Sequence, residues 1–203
     1  MTSLTRLGII CFGLAVVATV FTAGSRTEHG KDKLTFPRQI LIIRHAEKPP
    51  DEAMSVDLSA EGLDRAAALP KLFEKSDTRP TPFDTPDFIF AAKNSGKSHR
   101  PLQTVEPLAK ELKLPIDSAF TNDDPKKLAE ELFTNAKYAG KTILVSWRHS
   151  SIAALAQKLG AKDFPETWKD SVFDRVWQIT FDDTGKVTFV DRPQQLMPGD
   201  SKK

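Results

Sequence analysis

The chain has little cysteine and almost no excess of charge of either sign. Its single cysteine is Cys11, so neither a disulfide within the chain nor a cysteine-rich zinc site is available. Lysine and arginine total 29 and aspartate and glutamate total 27, so the net charge is +2 and the basic excess of nucleic-acid-binding proteins is missing. Internal repeats and low-complexity tracts are also missing. These absences favour a near-neutral globular domain without a nucleic-acid partner.

One long apolar run stands apart from the rest of the sequence. Residues 7–23 (LGIICFGLAVVATVFTA) carry no charge and precede a polar segment. This pattern predicts an export signal, or an uncleaved membrane anchor because Phe21 is bulky where a cleavage site needs a small residue. As a helix the run would reach about 25 Å, slightly short of a ~30 Å hydrocarbon core. We expect residues 1–25 to be the signal peptide or anchor, 26–37 a linker, and 38–203 a domain in the periplasm, outside the cell or at a membrane.

Short apolar runs alternate with helical patterns along the remaining chain. Residues 38–43, 87–92 and 141–147 predict buried strands. Two further strand patterns flank residues 182–185 (DDTG), which predicts a hairpin. Strands that alternate with helices are typical of βαβ units. The sequence therefore predicts an α/β fold, a three-layer α/β/α sandwich with a mostly parallel sheet.

The expected helix starts carry recognisable signals. Ser59 is suited to cap a helix that Pro70 should kink. Pro101 suits the first turn of a second helix, and Asp124 stands at the start of a third. We expect Ser150 to cap the fourth helix.

Arginine and histidine recur together at the expected ends of these elements. Arg44-His45 follows the first strand, Arg148-His149 follows the third, and Arg100 begins the helix after the second. Ligands bind at the carboxyl ends of strands in such sheets, so we expect these residues to converge. Guanidinium groups beside a helix N-terminus suit a phosphate dianion. A neutral imidazole there is a competent nucleophile toward phosphorus, and neighbouring arginines should lower its pKa.

Four ordered segments resemble the motifs of one enzyme family. ILIIRHAEKP at residues 40–49 is similar to the Arg-His-Gly motif of the histidine phosphatase superfamily, which includes the phosphoglycerate mutases, with alanine in place of the glycine. Residues 57–62 (DLSAEG) resemble its L-S-x-x-G helix start, and residues 100–104 (RPLQT) resemble its R-A-x-Q-T segment. Residues 144–152 (LVSWRHSSI) are similar to its G-H-S element, with arginine replacing the glycine. The segments follow the family order.

The resemblance implies a phosphoglycerate mutase-like fold and a phosphatase that works through a phosphohistidine, with no cofactor and no metal. Carried over by position, His45 would be the phosphorylated nucleophile and His149 would stabilise the transferring phosphoryl group. Arg44 and Arg100 would clamp the phosphate, and Arg148 would widen that clamp.

The leaving oxygen also needs a proton donor. In the family this carboxylate often lies in the loop before a later helix, where the chain offers Asp123 and Asp124. Glu47, two residues after the expected nucleophile, is the competing candidate.

The expected partner is a small phosphorylated substrate. A phosphatase is favoured over a mutase because the domain is compact and expected to be exported. Lys93 and Lys97, with His99 at the rim, would extend positive charge toward a polyanionic or sugar-phosphate substrate.

Three other hypotheses remain open at this stage. Residues 91–98 (AAKNSGKS) satisfy a relaxed P-loop pattern, which would imply nucleotide and magnesium binding. His45, His99 and His149 would be the ligands of a hydrolytic metal site, although adjacent arginines should repel a cation. The same fold would also serve a phosphate-binding module without catalysis.

Overall fold

The computed structural model describes Met1 and residues 36–50, 55–77 and 79–202. The predicted export or anchor segment and most of the predicted linker lie outside these residues. Within the described part of the chain, no helix combines the length and the apolar character that crossing a membrane requires.

A six-stranded sheet with the strand order β3-β2-β4-β1-β5-β6 forms the centre of the domain. Strand β4 is parallel to both β1 and β2, β2 is parallel to β3, and β5 and β6 join antiparallel at one side. In chain order the elements are β1 (Gln39–Arg44), α1 (Ala60–Ala68), β2 (Phe88–Ala91), α2 (Arg100–Leu112), β3 (Ile116–Asp117), α3 (Pro125–Thr134), β4 (Thr142–Trp147), α4 (His149–Lys158), β5 (Arg175–Phe181) and β6 (Val187–Pro193), with 3-10 helices at Leu69–Phe73 and Ala136–Tyr138. The predicted hairpin is confirmed as β5 and β6.

Alternate residues of β1 supply the two faces of the sheet. Ile40 and Ile42 pack in one buried cluster with apolar side chains of α3 and α4. Leu41 and Ile43 pack in a second cluster with side chains of α2 and of the 3-10 helix Leu69–Phe73. Both faces of the central strand are therefore covered by helices, and burying each such side chain stabilises the fold by about 1.5–3 kcal/mol. The predicted three-layer α/β/α sandwich with a mostly parallel sheet is confirmed.

The helix starts agree with the sequence at α1 and α2 but not at α4. Ser59 caps α1 by accepting a hydrogen bond from the backbone of Gly62, and Pro101 lies in the first turn of α2. The helical path tightens to 3-10 geometry around Pro70, where the kink was expected.

The predicted Ser150 cap of α4 is wrong. The helix already begins at His149, and Arg148 occupies the N-cap position without a side-chain hydrogen bond. The reason is that β4 passes into α4 through one extended residue, so no loop precedes the helix. This short connection places the N-terminus of α4 at the carboxyl edge of the sheet.

Candidate active site

The carboxyl ends of β1 and β4 bring the two arginine-histidine pairs side by side. The strands are neighbours in register, with Arg44 opposite Trp147. The backbone N–H of His45 continues this pairing by donating to the carbonyl of Trp147 at 2.9 Å. The residues that follow Trp147 are Arg148 and His149, so parallel pairing positions both pairs at one edge.

His45 is a buried, neutral imidazole with a fixed orientation. The side chain is 2% exposed, and Nδ1 lies 2.7 Å from the carbonyl oxygen of Ala46. A carbonyl oxygen only accepts, so Nδ1 carries the proton and the lone pair is on Nε2. Burial is the largest cause that lowers the pKa of His45 to about 3, although the hydrogen bond to Ala46 opposes the shift.

Positive charge around His45 lowers the pKa of its imidazole further. Arg44, Arg100 and His149 each lower the pKa of His45 electrostatically. The direction agrees with the sequence-based expectation for the arginines, but burial is the larger cause. The histidine therefore keeps an available lone pair at neutral pH.

Helix α2 supports the backbone next to His45. The Oγ1 atom of Thr104 accepts a hydrogen bond from the backbone N–H of Ala46 at 2.9 Å and donates to the carbonyl of Arg100 at 2.7 Å. The neighbouring Gln103 accepts from the backbone N–H of Leu58 at 3.0 Å. The R-P-L-Q-T segment thus connects α2 to the loop that follows β1, which gives this pattern a structural reason.

Helix α1 presses against the same loop through its glycine. The backbone N–H of Ser59 donates to the carbonyl of Glu47 at 3.0 Å. A Cβ on Gly62 would lie 2.3 Å from that carbonyl oxygen, so only glycine permits this approach. The L-S-x-x-G pattern is therefore a close contact between α1 and the residues after His45.

Glu47 faces α1 and pairs with an arginine. Its carboxylate accepts from the Nε atom of Arg65 at 2.8 Å, and Arg65 also pairs with Asp200 at 2.8 Å. Burial raises the pKa of Glu47, whereas the positive charge of Arg65 opposes that shift.

Arg44 is held by the irregular segment that contains Asp170. The sequence patterns predicted no role in the site for this segment. Its Nη2 donates to the carboxylate of Asp170 at 2.9 Å, and its Nη1 donates to the carbonyl oxygens of Lys169, Asp170 and Val172. The guanidinium carbon lies 3.9 Å from the centre of the Phe173 ring.

Asp170 contacts three side chains of the site. Besides Arg44, its carboxylate lies 2.9 Å from the Nζ atom of Lys48 and 3.3 Å from the Nε2 atom of His149. The hydrogen bond from Lys48 is the largest cause that lowers the pKa of Asp170, and Arg44 and His149 lower it further. Nothing in the sequence marks Asp170, because it lies in an irregular segment without a strand or helix pattern. Its carboxylate occupies the charge environment that suits phosphate oxygens.

His149 begins α4 and is partly exposed. Burial lowers the pKa of His149 most, Arg44 lowers it further, and Asp170 opposes the shift. Its Nδ1 atom is buried and has no hydrogen-bond partner among the residues that the structure describes. In a neutral His149 whose Nε2–H faces Asp170, this Nδ1 carries the lone pair.

Arg100 reaches the loop after β1 from the start of α2. Its Nε atom donates to the carbonyl of Asp57 at 3.1 Å, and its Nη2 donates to the carbonyl of Ser55 at 2.7 Å. The Asp57 carboxylate in turn lies 3.0 Å from Nδ1 of His99, which occupies the N-cap position of α2. His99 therefore lies beside Arg100, the residue predicted to clamp the phosphate, and is not among the groups that lower the pKa of His45.

A cavity of about 750 Å³ opens at the ends of β2 and β4. Its lining contains Arg148 and Asp123 of the predicted site residues, with the backbone segment Lys93–Ser98 on one side. Asp124 is not among the lining residues, since its carboxylate pairs with Lys127, which lowers the pKa of Asp124. The structure therefore separates the two adjacent aspartates, one at the cavity and one at the start of α3.

The geometry does not support the nucleotide-binding hypothesis. The backbone N–H groups of Lys97 and Ser98 donate to Oγ and O of Ser95, so they are used within the turn. A P-loop instead directs such groups at phosphates. Among the described residues, no cluster of three or more histidine, cysteine, aspartate or glutamate side chains has the arrangement of a metal site.

Comparison with solved structures identifies the class of fold. No protein-family model and no curated protein sequence matches the chain. The architecture, with its histidines at the ends of β1 and β4, is phosphoglycerate mutase-like, so the predicted fold is confirmed.

Two particular structures illustrate the likeness. A phosphoserine phosphatase variant from Entamoeba histolytica in complex with phosphoserine is 13% identical, with a TM-score of 0.53, and the match covers 78% of this chain and 98% of that one. A phosphoglycerate mutase from Plasmodium falciparum is 16% identical, with a TM-score of 0.52, and the match covers 80% and 95%. At these identities the likeness concerns the fold, and the activity has to be argued from the site.

Proposed function

We propose that the chain hydrolyses a phosphomonoester through a phosphohistidine on His45. The observation that carries the proposal is the buried, neutral imidazole of His45, whose Nδ1–H is fixed on Ala46 while Arg44, Arg100 and His149 surround it. Such a group is a nucleophile in a site that favours negative charge.

The reaction divides into two displacements at phosphorus. In the first, the Nε2 lone pair of His45 forms an N–P bond while the bond from phosphorus to the ester oxygen breaks, and the leaving oxygen takes a proton. In the second, water attacks phosphorus, the N–P bond breaks, and phosphate leaves. Arg44 and Arg100 neutralise the phosphoryl oxygens, and His149 donates a hydrogen bond to them.

Asp123 is the carboxylate that we assign as proton donor. It lines the cavity at the carboxyl edge, whereas Asp124 pairs with Lys127 and Glu47 pairs with Arg65. We also propose that the reaction needs no metal, because the arginines supply the positive charge that a metal supplies in other phosphatases.

The deciding experiment compares His45→Ala with the unchanged chain on p-nitrophenyl phosphate in excess chelator. We expect the substitution to lower kcat/KM by at least about a thousandfold, because it removes the attacking atom. His99→Ala is the matched histidine variant, and its effect should stay within about tenfold. A stable, full-rate His45→Ala enzyme would refute the nucleophile assignment, and loss of activity on chelation would refute the metal-free reaction. Phosphate on His45 that is stable to base and labile to acid would be the direct positive result.

A phosphate-binding module without catalysis is the second candidate. The observation that favours it is the lining of the cavity, which contains Lys93, Lys97 and Arg148 but neither of the two histidines His45 and His149. In that case the unchanged chain would bind inorganic phosphate in calorimetry but would hydrolyse none of a panel of phosphomonoesters.

We propose further that the chain is exported or held at a membrane through residues 7–23. The support is the uncharged run followed by polar sequence. The mass of the protein isolated from its source tests cleavage, since a secreted form would lack the first 25 residues or so.

A further inference from the structure

The cavity at the ends of β2 and β4, whose lining includes the two residues that flank His149, has more positive than negative charge. Lys93, Lys97 and Arg148 face a lining in which Asp123 is the sole acidic side chain. Lys93 and Lys97 come from the segment between β2 and α2, and Arg148 comes from the junction of β4 and α4. Two separate segments of the chain thus contribute positively charged side chains to the same cavity.

These three cations differ from the other cations of the site in their ion pairing. None of them forms an ion pair with a carboxylate in the described part of the chain. Other cations of the site differ: Lys48 lies 2.9 Å from Asp170, and Arg65 lies 2.8 Å from Asp200. An anion that enters the cavity would therefore not have to displace an existing carboxylate from these side chains.

The segment that carries the two lysines is tied down. The backbone N–H of Lys93 donates to the carbonyl of Phe120 at 2.7 Å. Ser95 and Ser98 exchange backbone hydrogen bonds of 3.1 and 3.2 Å across the turn. The backbone N–H groups of Ser95, Lys97 and Ser98 are used within the turn, which leaves the side chains of Lys93 and Lys97 as its charged donors.

The size and the remaining lining fit a small polar molecule rather than a lone phosphate ion. The volume of about 750 Å³ lies within the range of small-molecule sites. Thr121 and Ser150 add hydroxyl groups to the lining. The buried side chain of Asn122, also in the lining, has an Oδ1 atom without a hydrogen-bond partner among the described residues. Its Nδ2 donates to the carboxylate of Asp123 at 3.0 Å, which fixes Oδ1 as the free acceptor.

We propose that the substrate is a small phosphomonoester that carries a second anionic group, which Lys93 and Lys97 bind at the cavity while the scissile phosphate lies at His45. This inference rests on the proposed function for the role of His45. Arg148, which precedes His149 in the chain, lines the same cavity as the two lysines and so links the cavity to the residues at the end of β4. The second group is a phosphate or a carboxylate, since both accept from ammonium donors.

Non-hydrolysable ligand pairs test this proposal without relying on turnover. Calorimetry would compare alkyl monophosphonates with terminal diphosphonates of two to four carbons, using the purified full-length chain at low and at high salt. We expect the best diphosphonate to bind at least about tenfold tighter than its monophosphonate, because it engages the lysines as well as the clamp. The advantage should shrink at high salt, since these cations are exposed.

Substitutions assign the effect to the two lysines. In Lys93→Ala/Lys97→Ala the advantage of the diphosphonate should fall toward one, and because both side chains are exposed the double variant should keep its fold, which circular dichroism checks. Lys110→Ala is the charge-matched control, because Lys110 is exposed near the far end of α2. Equal binding of the two ligand classes by the unchanged chain would overturn the proposal, and so would an undiminished advantage in the double variant.

Failure of this inference is distinguishable from failure of the proposed function. If His45→Ala abolishes turnover but mono- and diphosphonates bind equally, the phosphatase activity is supported and the second anion site is refuted. If the chain turns over no phosphomonoester but binds diphosphonates more tightly through the two lysines, the second anion site is supported and the catalytic role of His45 is refuted.

Discussion

At the scale of single residues, the site combines a histidine that burial keeps neutral with the negatively charged side chain of Asp170. The neutral state of His45 follows from burial more than from its arginine neighbours. The sequence patterns predicted no role for Asp170, yet its carboxylate contacts Arg44, Lys48 and His149. A phosphate and the Asp170 carboxylate would compete for these three groups.

Replacing Asp170 should therefore strengthen anion binding. In Asp170→Ala the inhibition constant of inorganic phosphate should fall roughly fivefold, the upper range for a partly exposed ion pair. The measurement is competitive inhibition of p-nitrophenyl phosphate hydrolysis at low salt. Asp183→Asn, in the exposed turn between β5 and β6, is the matched control and should leave the constant unchanged. Weaker inhibition by phosphate in Asp170→Ala would mean that Asp170 positions the clamp instead of competing for it.

At the scale of elements, the loop after β1 is held from two sides. Helix α1 approaches through Gly62 and Ser59, and α2 supplies the hydroxyl of Thr104 to the backbone of Ala46. The sequence patterns at these places are therefore packing requirements that position His45.

Gly62→Ala should disturb this contact. The added methyl group would lie 2.3 Å from the carbonyl oxygen of Glu47, which is backbone and has little freedom to move. We expect the free energy of unfolding to fall by about 1–3 kcal/mol, the usual cost of overpacking, with kcat lowered as well. Gly96→Ala is the control, since a Cβ there would meet nothing within 4 Å. Urea unfolding measures both, and equal stabilities of the two variants would contradict the role given to Gly62.

At the scale of the whole molecule, the near-neutral total charge conceals an uneven distribution. The net charge of +2 excludes a general basic surface, but Arg44, Arg100 and Arg148 all lie at the carboxyl edge of the sheet. Burying His45 beside such charge has a consequence for folding stability, because the unfolded chain binds a proton more readily than the native one.

Stability should fall on acidification, and part of that fall should depend on His45. The native pKa of His45 is about 3 against 6.5 for the free side chain, so between these values the unfolded state binds the extra proton. The contribution is complete above about pH 6.5 and is lost as the pH drops toward 3; from pH 7 to 4 the loss is about 3 kcal/mol.

Urea unfolding of the unchanged chain and of His45→Gln across pH 7 to 4 measures the contribution of His45 to the pH dependence of stability. The variant should show the shallower pH dependence, because glutamine does not titrate and all other groups are common to both proteins. Identical slopes would show that His45 protonates as readily in the native state as in the unfolded chain.

The sequence by itself determined the fold class, the main strands and the strand-end positions of the arginine-histidine pairs. Apolar periodicity and turn residues act over a few neighbouring positions, so they are readable locally. The strand β3 was not predicted, because two residues are too short to show an apolar periodicity. The predicted Ser150 cap was wrong, because β4 joins α4 through Arg148 alone.

Only the tertiary structure decided what surrounds those residues. It placed Asp170 against Arg44, assigned Asp123 to the cavity and Asp124 to Lys127, and directed Glu47 to Arg65. Each of these outcomes depends on how irregular segments pack against distant parts of the chain. Such contacts join residues far apart in the sequence, and local patterns carry no record of them.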